Sequence, residues 1–142
     1  MSLRDFCRKP VLKISPESTV LEACAILKRA NVGCLIVERD GKLHGILTDR
    51  DIALKVAGER RDPAATTVAE VMTPDPVRIS VERDPRHLTT LMRAYHVRRI
   101  PIVDGFDTIL GIATLDDVLG ILGGELSEIG EAVSGELPGG GE

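Results

Sequence analysis

Apolar and polar positions along the chain follow the same order twice. In each half, a short apolar segment precedes a stretch in which apolar residues recur every three to four positions, which is typical of an amphipathic helix. A continuous apolar run, Cys34–Val37 and again Ile100–Val103, then indicates a strand that is covered on both faces. A further strand and a second helix complete each half, so the pattern predicts an α/β protein of two βαββα repeats.

The two repeats align at their first strands, where Ile14–Glu17 falls on Ile79–Glu82 after a shift of 65 residues. Ile, Ser and Glu are identical in that match. We expect one extra residue near Arg98, after which the shift is 66 and Val37 falls on Val103. Because the apolar pattern agrees along both halves, the chain is interpreted as a duplication of one structural unit.

Capping and turn residues predict where the elements begin and end. Thr19 and Glu22 have the spacing of a capping box, and Asp84-Pro85 is expected to cap and begin the corresponding helix of the second repeat. Asp40-Gly41 predicts a tight turn, so the strand that follows should return antiparallel. Gly58 is a natural residue to end the second helix of the first repeat.

These boundaries divide the chain into a first repeat, a charged linker, a second repeat and a tail, at residues 3–58, 59–67, 68–122 and 123–142. The apolar residues keep helical spacing from Val118 to Val133. We expect Gly123-Gly124 to bend or break this helix, and the end of the chain, Pro138–Glu142, to be frayed.

A Thr-x-x-Asp sequence stands where a strand ends and the second helix begins in both repeats, as Thr48–Asp51 and Thr114–Asp117. Such a sequence is common as a helix cap, because Thr accepts a backbone hydrogen bond and Asp favours the positive end of the helix dipole. A helix N-terminus also offers amides to a phosphate, and a carboxylate beside it accepts hydrogen bonds from a ribose diol. Both interpretations stay open, and the duplication supports the second.

Arg98-Arg99 is a second candidate, directly before the apolar run of the second repeat. The pair is either a solvated basic surface or an anion site, because guanidinium groups bind phosphate in bidentate fashion. The first repeat carries Gly33-Cys34 at this place, so two such sites would be chemically unequal.

Composition and charge exclude several classes of function. The formal net charge is −4 and aromatic residues make up 2% of the chain, so there is neither a basic field nor a set of stacking platforms for nucleic acid. No stretch approaches the ~20 apolar residues of a membrane span. The first ten residues lack the apolar run of a signal peptide. We therefore expect a cytoplasmic protein that binds neither nucleic acid nor membrane.

Metal and catalytic sites have no support in the residue pattern. The chain has three cysteines, Cys7, Cys24 and Cys34, which are far apart in the sequence. Because their number is odd and their spacing matches no metal motif, we expect free thiols rather than disulfides or a zinc site. The histidines lack the spacing of a metal motif, and no nucleophile stands in a recognisable arrangement with a base. The sequence therefore indicates a protein that is not an enzyme and has no catalytic cofactor.

Three segments of the second half together resemble a CBS (cystathionine-β-synthase-type) motif. They are Val68–Ser80, His96–Asp104 and Gly111–Val118, and residues 11–54 resemble a second copy. The resemblance implies two motifs packed through their sheets as a pseudo-twofold unit, called a Bateman module, which usually forms a homodimer. It also implies two clefts between the motifs that bind AMP, ADP or ATP, and less often S-adenosylmethionine or NAD.

The resemblance assigns roles to residues around these clefts. Asp51 and Asp117 would hold the ribose hydroxyls, and Thr48 and Thr114 would bond the sugar or the α-phosphate. Ten further residues would line the adenine or the phosphate: Ser15, Val32, Gly33, Cys34, Ile46, Ser80, Val97, Arg98, Arg99 and Ile112.

Each cleft should combine the Thr-x-x-Asp of one motif with a strand of the other. By the resemblance, Asp51 should share a cleft with Val97–Arg99, and Asp117 with Val32–Cys34. An additional carboxylate, Asp116, makes the second Thr-x-x-Asp segment more acidic. We therefore expect the Asp51 cleft to be the better site for a phosphorylated ligand.

The expected function is that of a non-catalytic regulatory module, which binds an adenosine-containing nucleotide and relays its presence to a separate effector protein. The alternative is a ligand-independent interaction protein that docks through the apolar tail helix Val118–Val133. Glu125, Glu128 and Glu131 are interpreted as the solvated face of that helix.

Overall fold

The computed structural model describes residues 2–136, without the side chains of residue 125 and residues 133–136. The expectations for Pro138–Glu142 and for the side chains of Glu125 and Val133 lie outside the described part. The chain opens with a short 3₁₀ helix, Leu3–Cys7, here called the entry helix.

Each repeat has the order βαββα. The elements of the first repeat are β1 (Lys13–Ile14), α1 (Val20–Ala30), β2 (Cys34–Arg39), β3 (Lys42–Thr48) and α2 (Asp49–Ile52), which continues as a π-helical turn, Ala53–Ala57. Two short elements follow, α3 (Val68–Val71) and β4 (Thr73–Pro74). The second repeat consists of β5 (Ile79–Ser80), α4 (His87–Tyr95), β6 (Arg99–Val103), β7 (Ile109–Thr114) and α5 (Leu115–Glu136).

The strands form two small mixed sheets. The first has the order β1-β2-β3-β4 and the second the order β5-β6-β7. In both, the first strand runs parallel to the middle strand and the third runs antiparallel to it. The predicted α/β fold of two βαββα repeats is confirmed, as are the tight turn at Asp40-Gly41, where both residues have positive φ, and the end of the α2 region at Gly58.

The strand register corrects the alignment of the two repeats. Ile36 pairs with Ile46 in the first sheet, and Pro101 pairs with Ile112 in the second. Ile36 therefore corresponds to Pro101, and the shift is still 65 in the middle strands. The extra residue lies in the turn between β6 and β7, so the expected insertion near Arg98 is wrong. A turn accommodates an added residue, whereas a one-residue slip in a strand would turn every side chain to the other face.

The first helices of the two repeats begin differently. Thr19 and Glu22 form the predicted capping box at the start of α1. In the second repeat the Asp84 carboxylate accepts a hydrogen bond from the Arg86 N–H at 2.9 Å, which closes a turn before the helix. The helix consequently begins at His87, and the predicted start at Pro85 is wrong. A short polar side chain that bonds the nearby backbone competes with helix initiation in this way.

Helix α5 is continuous through Gly123-Gly124, so the helix does not break there, which was one of the two predicted outcomes. A glycine lowers helix stability by about 1 kcal/mol relative to alanine, but it keeps the backbone donor and acceptor of the hydrogen-bond ladder.

Each repeat is preceded by a short helix that packs in the core of the other repeat. These two segments are the entry helix and α3. Leu3 and Phe6 of the entry helix are buried in the core of the second repeat, and Val68 and Val71 of α3 are buried in the core of the first. Gly111 of β7 permits this contact, because a Cβ there would lie 2.9 Å from the Cys7 Cα. The chain thereby brings its N-terminal segment against the second sheet.

A third apolar cluster joins the sheets to each other. It consists of Ile36, Leu43, Ile46, Val103 and Ile109, all buried, with Val11, Cys34 and Ile112 packed against it. Both repeats contribute to this cluster, so they form one unit with a cleft along their junction.

Candidate ligand cleft between the repeats

A cleft of about 680 Å³ lies at the junction of the two repeats. Its size is in the range of small-molecule sites, which is about 300–1,000 Å³. The walls come from the segment after the entry helix, the start of β2, the end of β7 and the start of α5. The lining residues are Asp5, Phe6, Arg8, Lys9, Pro10, Val11, Leu12, Val32, Gly33, Cys34, Ile36, Arg99, Ile112, Thr114, Asp116, Asp117, Gly120 and Ile121.

Thr114 and Asp117 lie where β7 ends and α5 begins. The Thr114 hydroxyl accepts a hydrogen bond from the Asp117 N–H at 3.1 Å, which is half of a capping box. In the described part of the chain, the Asp117 carboxylate makes neither the reciprocal bond to the Thr114 N–H nor an ion pair. The Asp117 carboxylate, which lies at the N-terminus of α5, is therefore available to accept hydrogen bonds from a ligand.

The opposite wall comes from the first repeat. Asn31 ends α1 in the left-handed conformation, with φ 53°, and the chain then passes through Val32–Cys34 into β2. Cys34 packs against the cluster between the sheets, and burial raises the pKa of its thiol, although the nearby Arg99 guanidinium opposes that shift. A neutral, half-buried thiol beside Val32 and Ile112 gives this wall an apolar surface that suits a heterocyclic base. Asp117 and Val32–Cys34 thus line the same cleft, and their role in binding a nucleotide stays a prediction.

Arg99 reaches across the junction toward the first repeat. A Cβ on Gly33 would lie 3.0 Å from Arg99 Nη2 and 3.3 Å from Asp49 Oδ2, so the guanidinium and this carboxylate flank Gly33. Arg99 thus lines the Asp117 cleft while its end points toward the start of α2. The absence of a side chain at Gly33 leaves the space that the guanidinium occupies.

The segment after the entry helix supplies cleft residues that sequence reasoning missed. Arg8 and Lys9 lie on the cleft wall, and Arg8 forms an ion pair of 3.0 Å with Asp5. Their sequence signal is a basic pair shortly before β1. Nothing local indicated that these residues lie beside Asp117, because their position follows from the exchange of the entry helix between the repeats.

The Asp51 turn is chemically different from the Asp117 turn. Thr48 and Asp51 complete a reciprocal capping box, with bonds of 3.0 and 3.1 Å. The Asp51 carboxylate also pairs with Lys55 at 3.2 Å, and Lys55 in turn donates to the Val71 carbonyl at 3.0 Å. This carboxylate is already engaged by two groups of its own chain, and 14% of the side chain is exposed.

Arg98 and Val97 lie away from the main cleft. They line a separate groove of about 410 Å³ beside α4, whose other residues are Thr89, Met92, Arg93, His96 and Leu115. Asp51 is not among the residues that line this groove or the main cleft. The structure therefore separates Arg98 from Arg99, although they are adjacent in sequence.

The remaining predicted site residues lie at other places. Ser15 donates a hydrogen bond to the Glu17 carboxylate at 2.6 Å, and Ser80 accepts one from the Glu82 N–H at 3.4 Å. Both hydroxyls stabilise turns after the first strands and are not among the cleft-lining residues. Ile46 is buried between the sheets, whereas Ile112 packs against that cluster and also lines the cleft.

Among the side chains that the structure describes, there is no cluster of three or more His, Cys, Asp or Glu residues that could hold a metal ion. Within residues 2–136, no helix has the length and apolar character needed to cross a membrane. Cys7, Cys24 and Cys34 are free thiols, as predicted.

Comparison with known proteins gives several relatives. CBS domain-containing protein YhcV of Bacillus subtilis is 38% identical over 117 residues, which cover 82% of either chain. Inosine-5′-monophosphate dehydrogenase of Methanocaldococcus jannaschii is 34% identical over 112 residues, which cover 78% of this chain but 21% of that enzyme.

A solved structure of similar fold contains bound ligands. It is the CBS domain pair of protein MJ0100 in complex with 5′-methylthioadenosine and S-adenosyl-L-methionine. It matches with a TM-score of 0.78 and 28% identity, over 88% of this chain and 98% of that one. The family model for the CBS domain matches residues 3–58 and 68–124. The chain therefore belongs to the CBS domain family and carries a pair of these domains.

Proposed function

We propose that this chain is a non-catalytic regulatory module that binds an adenosine-containing ligand in the cleft between its two CBS domains. The observation that carries the proposal is the available Asp117 carboxylate at the N-terminus of α5, opposite the apolar wall of Val32 and Cys34. A ribose diol donates well to such a carboxylate, and an adenine ring would cover the apolar wall. The bound ligands of the MJ0100 domain pair, both adenosine derivatives, support this ligand class.

The charges of the cleft favour a single phosphate among the adenine nucleotides. Arg8 is paired with Asp5, so Lys9 and Arg99 are the cations that the described cleft offers to a ligand. A phosphate monoester carries about −1.5 to −2 charges at neutral pH, and these two cations would attract it in a cleft that also contains the carboxylates of Asp116 and Asp117. Longer phosphate chains would add negative charge beside Asp116. We therefore place AMP ahead of ADP and ATP, and in the Asp117 cleft rather than in the Asp51 cleft favoured by sequence.

Regulation requires that the ligand change a property that another molecule senses. The Asp117 cleft contains residues of the exchanged entry segment, of the first sheet and of α5, so an occupant would contact parts of both repeats. A ligand that binds one packing of these parts more tightly shifts the population toward that packing. We propose that a separate effector protein reads this change and that the module acts as a homodimer.

The test is isothermal titration calorimetry of the full chain against AMP, ADP, ATP, adenosine, 5′-methylthioadenosine and S-adenosylmethionine. AMP should bind with one site per chain. Asp117→Asn removes a charge-assisted acceptor worth about 1.5–3 kcal/mol, so the dissociation constant should rise at least about tenfold. Arg99→Gln should reduce the preference for AMP over adenosine. Asp51→Asn, the matched control, should leave the AMP affinity of this cleft unchanged.

Two results would contradict the proposal at different levels. If none of the six compounds binds or raises the unfolding temperature at about 1 mM, the proposed ligand class is wrong. If AMP binds but Asp117→Asn binds it as tightly as the parent chain does, the ligand class stands and the site is wrong.

A further inference from the structure

The main cleft carries equal numbers of positive and negative side chains on its described wall. Three are cations and three are carboxylates: Arg8, Lys9, Arg99, Asp5, Asp116 and Asp117. Asp116 and Asp117 belong to the start of α5, whereas Asp5 belongs to the entry helix. Because the formal charges on this wall cancel, its attraction for an anion depends on which cations are already engaged by carboxylates of the chain itself.

The Asp5 carboxylate is held in place by the entry helix. Its Oδ2 accepts a hydrogen bond from the Ser2 N–H at 2.9 Å, as part of a capping box. Leu3 and Phe6, on either side of Asp5 in the sequence, are buried in the core of the second repeat. The helix is thus anchored, and the carboxylate keeps its position whether or not its other oxygen has a partner.

Arg8 is the movable member of the pair that it forms with Asp5. Its Nη2 donates to Asp5 Oδ1 at 3.0 Å, and the Arg8 side chain is 80% exposed, against 36% for Asp5. Water screens an exposed ion pair, so such a pair is weak. Arg8 can therefore exchange the Asp5 carboxylate for another anion. It lies next to Lys9 in the chain, so a phosphate at Lys9 is within its reach.

We propose that Asp5 determines how many phosphate groups the cleft accepts, because it engages the Arg8 guanidinium. With Arg8 engaged, Lys9 and Arg99 serve a single phosphate. With Arg8 released, a third cation serves the second and third phosphates of a longer chain. Asp5 is thus a specificity-determining residue that lies outside the ribose and base contacts. The inference rests on the proposed nucleotide cleft and adds the group that selects the ligand within it.

The experiment is an NMR titration of the full chain and of Asp5→Asn, followed at the amides of Gly33 and Gly120, which both line the cleft. One ligand series is AMP, ADP and ATP. The other is phosphate, pyrophosphate and tripolyphosphate, which need neither a base site nor a ribose site. Asparagine keeps an acceptor for the Ser2 N–H and removes the charge, so the entry helix should stay docked, which the amide spectrum checks.

Asp5→Asn should shift both series toward longer phosphate chains. A unit charge roughly 6 Å away changes the affinity for another unit charge about threefold in water-like surroundings. The affinity for ADP relative to AMP, and for pyrophosphate relative to phosphate, should therefore rise about threefold. At about 1 M salt, where the screening length is about 3 Å, the rise should disappear.

The matched control is Glu82→Gln. It removes the same charge from the ion pair of 3.0 Å between Glu82 and Arg4, which also involves the entry helix but lies outside the cleft lining. Both affinity ratios should stay at the parent values. A second variant, Asp5→Asn with Arg8→Gln, removes the released cation as well, and it should return both ratios to the parent values.

Three results would overturn the role of Asp5. The first is an Asp5→Asn variant with the same affinity ratios as Glu82→Gln. The second is a double variant that keeps the raised ratios, which would assign the effect to the carboxylate without Arg8. The third is an Asp5→Asn variant that does not bind tripolyphosphate at about 10 mM.

The inorganic series separates this inference from the proposed function. If the pyrophosphate ratio rises while no adenosine compound binds, Asp5 controls the anion and the proposed ligand class is wrong. If AMP binds and both ratios stay at the parent values, the proposed function stands and the role of Asp5 is wrong.

Discussion

The two Thr-x-x-Asp turns of this chain have the same sequence signature and different chemistry. At the first turn, Thr48 and Asp51 bond each other in both directions, and Asp51 also pairs with Lys55. At the second turn, Thr114 accepts the Asp117 N–H, while in the described structure the Asp117 carboxylate stays unbonded beside a cleft. A motif that recurs in two repeats can therefore serve as a helix cap in one and as a candidate ligand site in the other.

The difference comes from residues outside the motif. Lys55 lies four residues after Asp51 on the same helix, where it reaches the carboxylate, and the corresponding position after Asp117 is the apolar residue Ile121. The cations near Asp117 instead come from distant segments, as Lys9 and Arg99. A ligand with a negative group can use those cations, whereas Lys55 already neutralises the charge of Asp51.

The largest expected effect is on stability and concerns Gly111 and Gly45, where the strands pack closely against the segments exchanged between the repeats. A Cβ on Gly111 would meet the Cys7 Cα and the Phe6 carbonyl oxygen at 2.9 Å, and both are backbone atoms. A Cβ on Gly45 would come nearest to the flexible Met72 side chain, at 2.5 Å from its sulfur. Gly111→Ala should therefore lower the free energy of unfolding by about 2–3 kcal/mol, and Gly45→Ala by less.

Urea denaturation of both variants measures this difference, with Gly105→Ala as the control because a Cβ there meets nothing within 4 Å. Gly111→Ala should also weaken ligand binding, since displacement of the entry helix moves Arg8 and Lys9. Equal stability of the Gly111→Ala and Gly105→Ala variants would refute the tight contact between the entry helix and β7.

A second prediction compares how much the carboxylates of Asp51 and Asp117 contribute to the free energy of unfolding in the absence of ligand. Asp51→Ala removes a cap hydrogen bond and a half-buried ion pair, so it should lower the free energy of unfolding by about 1–2 kcal/mol. Asp117→Ala removes a favourable charge at a helix N-terminus, about 0.5 kcal/mol. Urea denaturation without ligand measures both. If Asp117→Ala costs as much as Asp51→Ala, the Asp117 carboxylate has a structural partner and the contrast between the turns disappears.

Much of the fold follows from local patterns in the sequence. The helical period, the apolar runs and the signals at Thr19 and Asp40-Gly41 correctly predict the order of elements in both repeats. These signals are local because capping and turn bonds span two to four residues. The start of α4 was predicted incorrectly, because the Asp84 side chain bonds the backbone of a turn instead of the first helical turn.

The composition of the cleft could be predicted only in part. Asp117 and Val32–Cys34 meet there as expected, since the Thr-x-x-Asp of one repeat faces the middle strand of the other. Arg98 and Arg99 separate because Arg98 lies at a bend before β6, whereas Arg99 is the first residue of the strand. Lys9 enters the cleft through tertiary exchange of the entry helix, for which the sequence near Lys9 carries no local signal.

The smallest predicted effect concerns the starts of α1 and α4, which differ between the two repeats. Hydrogen bonds from the Arg86 side chain and backbone lower the pKa of Asp84 to about 2. A carboxyl group whose folded pKa lies below its unfolded value stabilises the fold above the unfolded pKa. That contribution is lost as the pH falls from about 4 through about 2. Asp84 is partly exposed and its partner Arg86 is exposed, so water screens the ion pair and the change in stability should be small.

Carbon-detected NMR titration of the carboxyl groups measures this directly. The Asp84 resonance should titrate with a midpoint near 2 in the parent chain. In Arg86→Gln it should move up toward the ordinary value, because the charged side-chain donor is lost while the backbone N–H remains. Asp104, whose pKa is lowered by hydrogen bonds from the Phe106 and Thr108 backbone, should titrate identically in both proteins. A midpoint for Asp84 that does not respond to Arg86→Gln would show that the turn before α4 is held by the backbone bond, as the cap of α1 is.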